Sequence, residues 1–267
     1  MVSLRLYWEV TRTTARRMAT YRGATFAGIV TNSVFGFIQA YVLLAVWEAR
    51  PAIGGFDAAD AVTFTFVVQG MLMTVGMFGG DQEMAERVHS GEVAVDLCRP
   101  YDYQGWWAAV AYGKAVFYAW ARGIPTFLVG ALVFDLRLPD EPWMWPAFLA
   151  AVALAVGVGF CWAFLLQLGA FWLVDIRGLN QLGWITAMFL SGTVVPLVLF
   201  PEGLEALVRA LPFASMIQLP VEVFLGKHTG ADLALVYLTQ AAWLVALGAA
   251  GRLVLARAVR KVVVHGG

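Results

Sequence analysis

The sequence predicts an all-α polytopic membrane protein with six transmembrane helices. An amino-terminal interfacial helix precedes them, and a re-entrant helical hairpin sits between helices 5 and 6. Three observations predict it. The chain is 61% apolar and only 13% charged, with a mean hydropathy of +0.74, whereas soluble domains carry about 25% charged residues. Six segments have the roughly 20 mostly apolar residues that a crossing helix needs, at 24–47, 61–80, 110–134, 143–174, 182–200 and 233–255. The basic residues are also unevenly divided between the connecting segments.

Residues 1–22 come first. Leu4, Trp8, Thr11, Ala15 and Met18 recur at helical spacing, with Arg5, Glu9, Arg12 and Arg16 on another face. An arginine-rich face beside an aromatic-apolar one describes a helix lying in the membrane interface, where its arginines meet anionic lipid. No short apolar core of a cleavable signal peptide stands out there.

Six crossings place both termini on one side. With that side cytoplasmic, thirteen basic residues lie inside. Arg50, Arg137, Arg209 and Lys227 lie outside, and Arg122 falls within the third span, which accounts for all 18. This is a positive-inside distribution. Acidic residues divide eight to ten, as expected where basic residues set the topology. Trp47, Trp106, Trp107, Trp143 and Trp145 stand near predicted helix ends, in keeping with interfacial belts. The third and fourth segments exceed one crossing and are expected to tilt or to project into water.

The loop 81–104, between spans two and three, is the most charged internal segment. Asp81, Glu83 and Glu86 begin it, and Gly91 is placed to end a helix that continues out of span two with an apolar edge at Met84 and Val88. Val93, Val95 and Leu97 then alternate with polar or small residues before Arg99 and Pro100, where proline stops any helix. Arg87, Glu92 and Asp96 complete its charge. A long loop mixing apolar groups with acids suits contact with a partner.

The segment 191–226 is punctuated by proline. Pro201 suits the start of a helix and Pro212 its end. Between them Leu204, Leu207, Val208 and Leu211 form an amphipathic stripe, with Glu205 and Arg209 paired at i and i+4 on another face. This helix is too short to cross. A second short helix over 213–225, kinked near Pro220, would complete a hairpin over 201–226. Irregular backbone is tolerated in lipid only where protein or a polar cavity satisfies it.

Catalytic motifs are absent. There is no G-x-x-x-x-G-K-[ST] phosphate cradle, no H-E-x-x-H and no G-x-S-x-G. Cys98 and Cys161 lack metal spacing and read as unpaired thiols, and His89, His228 and His265 are scattered. No catalytic residue, metal site or cofactor is expected on this chain, and zero net charge argues against a nucleic-acid partner. Arg122 is the clear intramembrane charge, expected to snorkel, to pair at an interface or to face a cavity.

Gly192, Pro196, Pro201, Pro212, Pro220 and Gly226, in the form G-x-x-x-P…P…L-P-F…P-x-x-x-x-x-G, resemble the carboxy-terminal pattern of the ATP-binding-cassette exporter permeases of the second type. The run E-R-V-H-S-G-E…D-L-C-R-P over 86–100 is similar to the loop before span three in one bacterial subgroup of them. The resemblance covers essentially the whole chain and implies a single permease domain over 1–267, without a fused ATPase, in a bacterial cell membrane. It implies two permease subunits, as a homodimer or with a divergent paralogue, above two separate ATPase subunits that bind ATP and Mg. Loop 81–104 would supply the coupling helix through Glu83, Glu86, Arg87, Gly91, Glu92, Asp96, Arg99 and Pro100. The hairpin would be the external gate, through Gly192, Pro196, Pro201, Pro212, Pro220 and Gly226. An amphipathic or hydrophobic cargo is expected. A gradient-driven transporter or channel without an ATPase is the alternative.

Overall fold

The computed structural model describes residues 4–49, 53–77 and 82–261; those residues form helices, with no strand among them. Asp81, the first residue of the predicted coupling loop, lies outside them, as do 78–80 at the end of the predicted second span.

Helix α1, Leu4–Met18, lies on α6. Its packing face carries Val10 and Thr14, while Leu4 and Trp8 point outward at 87% and 64% exposure. The contact face therefore lies beside the predicted apolar one. The cause is on α6, where Gly105, Ala109 and Gly113 form a small-residue stripe at i, i+4 and i+8. A Cβ at Gly113 would come within 2.5 Å of the Thr11 carbonyl oxygen. The Thr11 hydroxyl donates to the Ala109 carbonyl at 3.0 Å.

Helix α2, Arg22–Ala49, is one of three helices among the described residues that are long and apolar enough to cross a membrane. Helix α3, Ala58–Met71, starts under a capping box formed by Asp57 and Asp60. It closes at Gly76, which adopts φ +72°. The Met77 N–H donates to the Leu72 carbonyl and the Gly76 N–H to the Met73 carbonyl, the paired bonds of a Schellman ending. The second apolar segment thus begins before residue 61 and closes at Gly76, so the loop helix ending at Gly91 is a separate helix and not the predicted continuation of span two.

Helices α4, Glu83–His89, and α5, Val93–Leu97, form the charged loop. Helix α6, Tyr103–Tyr118, begins seven residues before the predicted span because the Asp102 carboxylate accepts the Gly105 N–H at 2.6 Å. A π-helical turn, Ala119–Gly123, joins it to α7, Ile124–Ala131. Pro125 has no N–H to bond the preceding turn, and its ring would clash with the carbonyl four residues back. The widened turn accommodates both. Gly70 of α3 and Gly123 meet backbone to backbone there, the Gly123 carbonyl oxygen standing 3.1 Å from where a Gly70 Cβ would be.

Helix α8, Met144–Gln167, runs on through a 3-10 turn to Phe171. Helix α9, Arg177–Leu190, starts before and stops well short of the predicted 182–200, because Gly192 at φ +85° turns the chain and Pro196 opens a 3-10 turn. The hairpin follows as α10, Glu202–Arg209, and α11, Gln218–Phe224. Pro220 sits in the first turn of α11, where a missing N–H costs nothing. Helix α12, Gly230–Ala258, and the 3-10 turn after it, Val259–Lys261, end the described fold.

The main core gathers where α11 lodges among α3 and α8. Phe64, Val68, Val158, Met216, Ile217 and Phe224 are all buried there. Phe224 meets the rings of Phe127, Trp145 and Phe148 edge-on at 5.0–5.8 Å.

Candidate functional site

Two sites lie at opposite ends of the helices: the α4–α5 loop and the α10–α11 hairpin. In the loop, Met84 and Val93 pack beneath with Tyr103, Phe164 and Leu168, seating it on the ends of α6 and α8. Gly91 ends α4 with φ +81°, as its place in the sequence predicts. Arg87 grips Asp96 with two bonds of 2.6 and 2.8 Å and reaches Glu92 at 2.9 Å. The Asp96 hydrogen bonds raise the Arg87 pKa, with burial opposing. Arg99 stands 3.9 Å from the same carboxylate.

Asp96, 4% exposed, therefore faces inward and clips α4 to α5. Outward stand Glu86, Gly91, Glu92, Arg99 and Pro100 around Val95, which is 59% exposed. Glu83 is turned toward α1, its carboxylate 3.5 Å from the Arg17 guanidinium. The Asp102 N–H donates to the Tyr7 hydroxyl at 3.2 Å, and Arg252 of α12 reaches the Asp102 carboxylate at 3.5 Å. The loop is thus fastened to α1, α6, α8 and α12. His89 meets the Leu173 carbonyl at 3.1 Å.

The hairpin is held by Glu205 and Arg209 together with groups the sequence does not single out, chiefly Glu222, Gln218 and Gln240. The helix pair Glu205–Arg209 forms at 2.7 Å as its spacing predicts. Arg209 also reaches across Pro212 to Glu222 with bonds of 2.9 and 2.6 Å. Glu222 further meets Gln218 at 2.8 Å and His228 at 2.9 Å. Burial alone would raise the Glu222 carboxyl; bonds from His228, Arg209 and Gln218 outweigh it and hold the pKa at about 2. Burial likewise works against the Arg209 charge, but its bonds to Glu222 and Glu205 keep its pKa above the ordinary range.

Gln218, fully buried, satisfies the broken backbone beside it. Its N–H donates to the Ser191 carbonyl, and its side-chain oxygen accepts the Leu197 N–H at 3.2 Å. Gly192 is required there, because a Cβ would stand 2.2 Å from that oxygen. Gln240 of α12 donates to the carbonyls of Ser215 and Ala151 at 2.9 and 3.0 Å, pinning the hairpin tip to α8. Buried amides thus supply the partners that irregular backbone in an apolar setting needs. Gly226, φ +69°, closes α11, with Lys227 N–H bonding back to the Glu222 carbonyl. Of the stripe on α10, Val208 is buried while Leu204 and Leu207 face out.

A second buried acid sits at the same end. Asp60, 1% exposed, takes the Lys227 ammonium at 2.6 Å and an Arg137 guanidinium N–H. Arg137 also bonds Asp57 at 2.8 Å. Three of the four basic residues assigned to that side, Arg137, Arg209 and Lys227, therefore neutralise buried acids; Arg50 lies outside the described residues. The available signal was a lone acid inside an apolar run, Glu222 in LPVEVFLG and Asp60 before AVTFTFVV.

Arg122 lies on the π turn, across Gly28, with its guanidinium 3.2 Å from the Asn32 side-chain oxygen and its centre 5.8 Å from the Tyr118 ring. Asn32 donates to the Gln69 carbonyl, the Gln69 side chain to Gln39, and Gln39 to the Thr193 and Val194 carbonyls. A polar track thus runs from the π turn to the hairpin end. Among the described residues no group of three or more His, Cys, Asp or Glu is placed to hold a metal ion, and both cysteines are free thiols.

The family model described as ABC-2 family transporter protein matches residues 32–266 of the chain. No curated protein and no solved structure matches it.

Proposed function

The chain belongs to the ABC-2 transporter family, a family of membrane permeases that serve ATP-binding-cassette transporters, and we propose that it is the permease of an ATP-driven exporter for an amphipathic or hydrophobic cargo. Its six spans are α2, α3 with its last turn, the α6–α7 rod, α8, α9 and α12. Both termini and the α4–α5 loop face the cytoplasm of a bacterial cell, and the hairpin faces outward. Two permeases pair, and two separate ATPase subunits bind and hydrolyse MgATP beneath them.

The observation that carries this reading is the build of the α4–α5 loop. Its inner side is clipped by Arg87 and Asp96 and seated on a core, so it moves as one piece. Its outer side presents an apolar knob, Val95, among Glu86, Glu92 and Arg99. A rigid, partly apolar, charge-flanked projection suits docking to another protein. The ties to α1, α6, α8 and α12 would carry a push on the loop into the helices. The hairpin, braced by Glu222 and Asp60 at the far end, is the proposed gate.

Val95→Asp tests the assignment. The substitution is on an exposed site and leaves the internal clip intact, so the melting temperature of the chain stays within about 2 °C, as expected for surface changes. Co-purification of the ATPase and ATP-dependent transport should each fall at least tenfold. Unchanged docking and transport would remove the loop from the coupling path. Gradient-driven transport by the chain alone in liposomes would favour a transporter without an ATPase.

A further inference from the structure

The guanidinium of Arg122 is held deep in the apolar layer. It donates to the Asn32 side-chain oxygen at 3.2 Å, and Asn32 in turn donates to the Gln69 carbonyl at 3.0 Å. Along α3, Gln69 lies roughly 14 Å from Asp60 at the helical rise. Asp60 stands with Asp57, Arg137 and Lys227 in a charged cluster that marks the edge of that layer. In the other direction Val75 meets Gly159 of α8, and α8 runs on to Gln167, roughly 12 Å further. The guanidinium is therefore near the middle of a hydrocarbon core about 30 Å thick. Gly123, beside Arg122, meets Gly70 at the same level, so the side chain runs across to α2 rather than snorkelling toward a surface.

Little answers its charge. A guanidinium has five N–H donors. Among the described residues it has the Asn32 bond and the Tyr118 ring at 5.8 Å, and its Nε is buried without a partner. No carboxylate among those residues pairs with it. A second copy has none to offer from its spans, because 24–47, 61–80, 110–134, 143–174, 182–200 and 233–255 contain neither Asp nor Glu. Asp60 and Glu222, at the hairpin end, are already taken by Lys227, Arg137 and Arg209. An unanswered charge at the bilayer centre costs at least about 2.5–3.5 kcal/mol, so its anion comes from another molecule.

The fold makes room for this cation. Gly28 leaves a notch for it, since a Cβ there would stand 2.1 Å from the guanidinium carbon. Arg122 also sits on the π turn, a feature frequent at functional sites, and it is partly exposed. Along the two elements that meet there, Trp120, Ile124, Val30 and Val34 turn outward. A guanidinium fork suits the paired oxygens of a phosphate or a carboxylate, and the apolar residues suit a tail. We infer that Arg122 binds the oxyanion of the cargo, which is an anionic amphiphile with a phosphate or carboxylate on an apolar tail. The inference rests on the permease reading in making that ligand the cargo. A bilayer phospholipid is the other source of the same chemistry.

The test is binding of radiolabelled dodecyl phosphate to the full chain in phosphatidylcholine nanodiscs, with labelled dodecanol as the uncharged control and empty nanodiscs as the blank. Dodecyl phosphate should bind at least tenfold more tightly than dodecanol, about 1.4 kcal/mol. Arg122→Leu should abolish that preference while the melting temperature holds or rises, because an apolar side chain replaces an unpaired charge. An Arg122 that only braces the fold would do the reverse, lowering the melting temperature and leaving the preference intact. Gly28→Ala keeps the charge but drives the guanidinium out of its notch, and should weaken dodecyl phosphate binding at least fivefold. Equal binding of the two probes by the parent chain overturns the anionic cargo. An undiminished preference in whichever variant keeps the parent fold overturns Arg122 as the site. An anionic phospholipid that copurifies with the parent chain and not with Arg122→Leu would give the site to a bilayer lipid and overturn the cargo reading. The assay contains no ATPase. A chain that shows no preference yet docks its ATPase loses only the anionic cargo, and one that binds the probe without docking loses only the coupling assignment.

Discussion

A carboxylate as buried as Glu222 persists in ionised form only while its partners do. Arg209→Ala leaves it with His228 and Gln218 alone, and is expected to cost about 3–5 kcal/mol, the usual penalty for stripping one partner from a buried pair. Glu222→Gln should cost less, because an amide can still accept from Gln218 and Arg209. The same carboxyl sets an acid limit. Its folded pKa lies below its ordinary value of 4.5, so the stability it contributes is complete above about pH 4.5 and is lost as pH falls toward about 2. Thermal melts across that window should fall for the parent chain and fall much less for Glu222→Gln. At this scale the sequence revealed only what lies close along the chain. Glu205–Arg209 is one helical turn and was legible. Arg209–Glu222 spans 13 residues across Pro212, and nothing in local spacing encodes it.

Among the elements, α1 shows what periodicity can and cannot reveal. Its amphipathic character was readable, but two faces compete, and the winner is fixed by the Gly105, Ala109 and Gly113 stripe on α6. Gly113→Leu should lift α1 from α6. Hydrogen exchange in 4–18 should rise at least tenfold, with a loss of about 1–3 kcal/mol, typical of overpacking. If α1 stays protected in that variant, the stripe does not hold it. Pro125 and Gly123 in turn carry the signal for the π turn, which hydropathy alone passes over because the segment stays apolar throughout. The end of α9 at Leu190 is hidden from hydropathy for the same reason. The apolar composition continues to Phe200 while Gly192 and Pro196 have already turned the backbone.

For the whole molecule, composition and charge distribution were enough to mark a helical membrane protein. They were silent on how its hairpin end is fastened. That fastening runs through α11, which grips α10 by Glu222, and through Lys227 just beyond it, which grips Asp60 of α3. Asp60→Ala should leave Arg137 and Lys227 crowded without their shared acid and lower stability by about 3–5 kcal/mol. A loss no larger than that of an exposed acid would mean the cluster is ornamental. The Gly70–Gly123 contact acts on the same scale. Two backbones meet there with no side chain between them, a point about which α3 and the α6–α7 rod could pivot. From Gly70 the arm toward Gly76 is roughly 9 Å long and the arm toward Asp60 roughly 15 Å, at 1.5 Å per residue. Were α3 to turn rigidly about that point, its Asp60 end would move opposite to its Gly76 end and about two-thirds further.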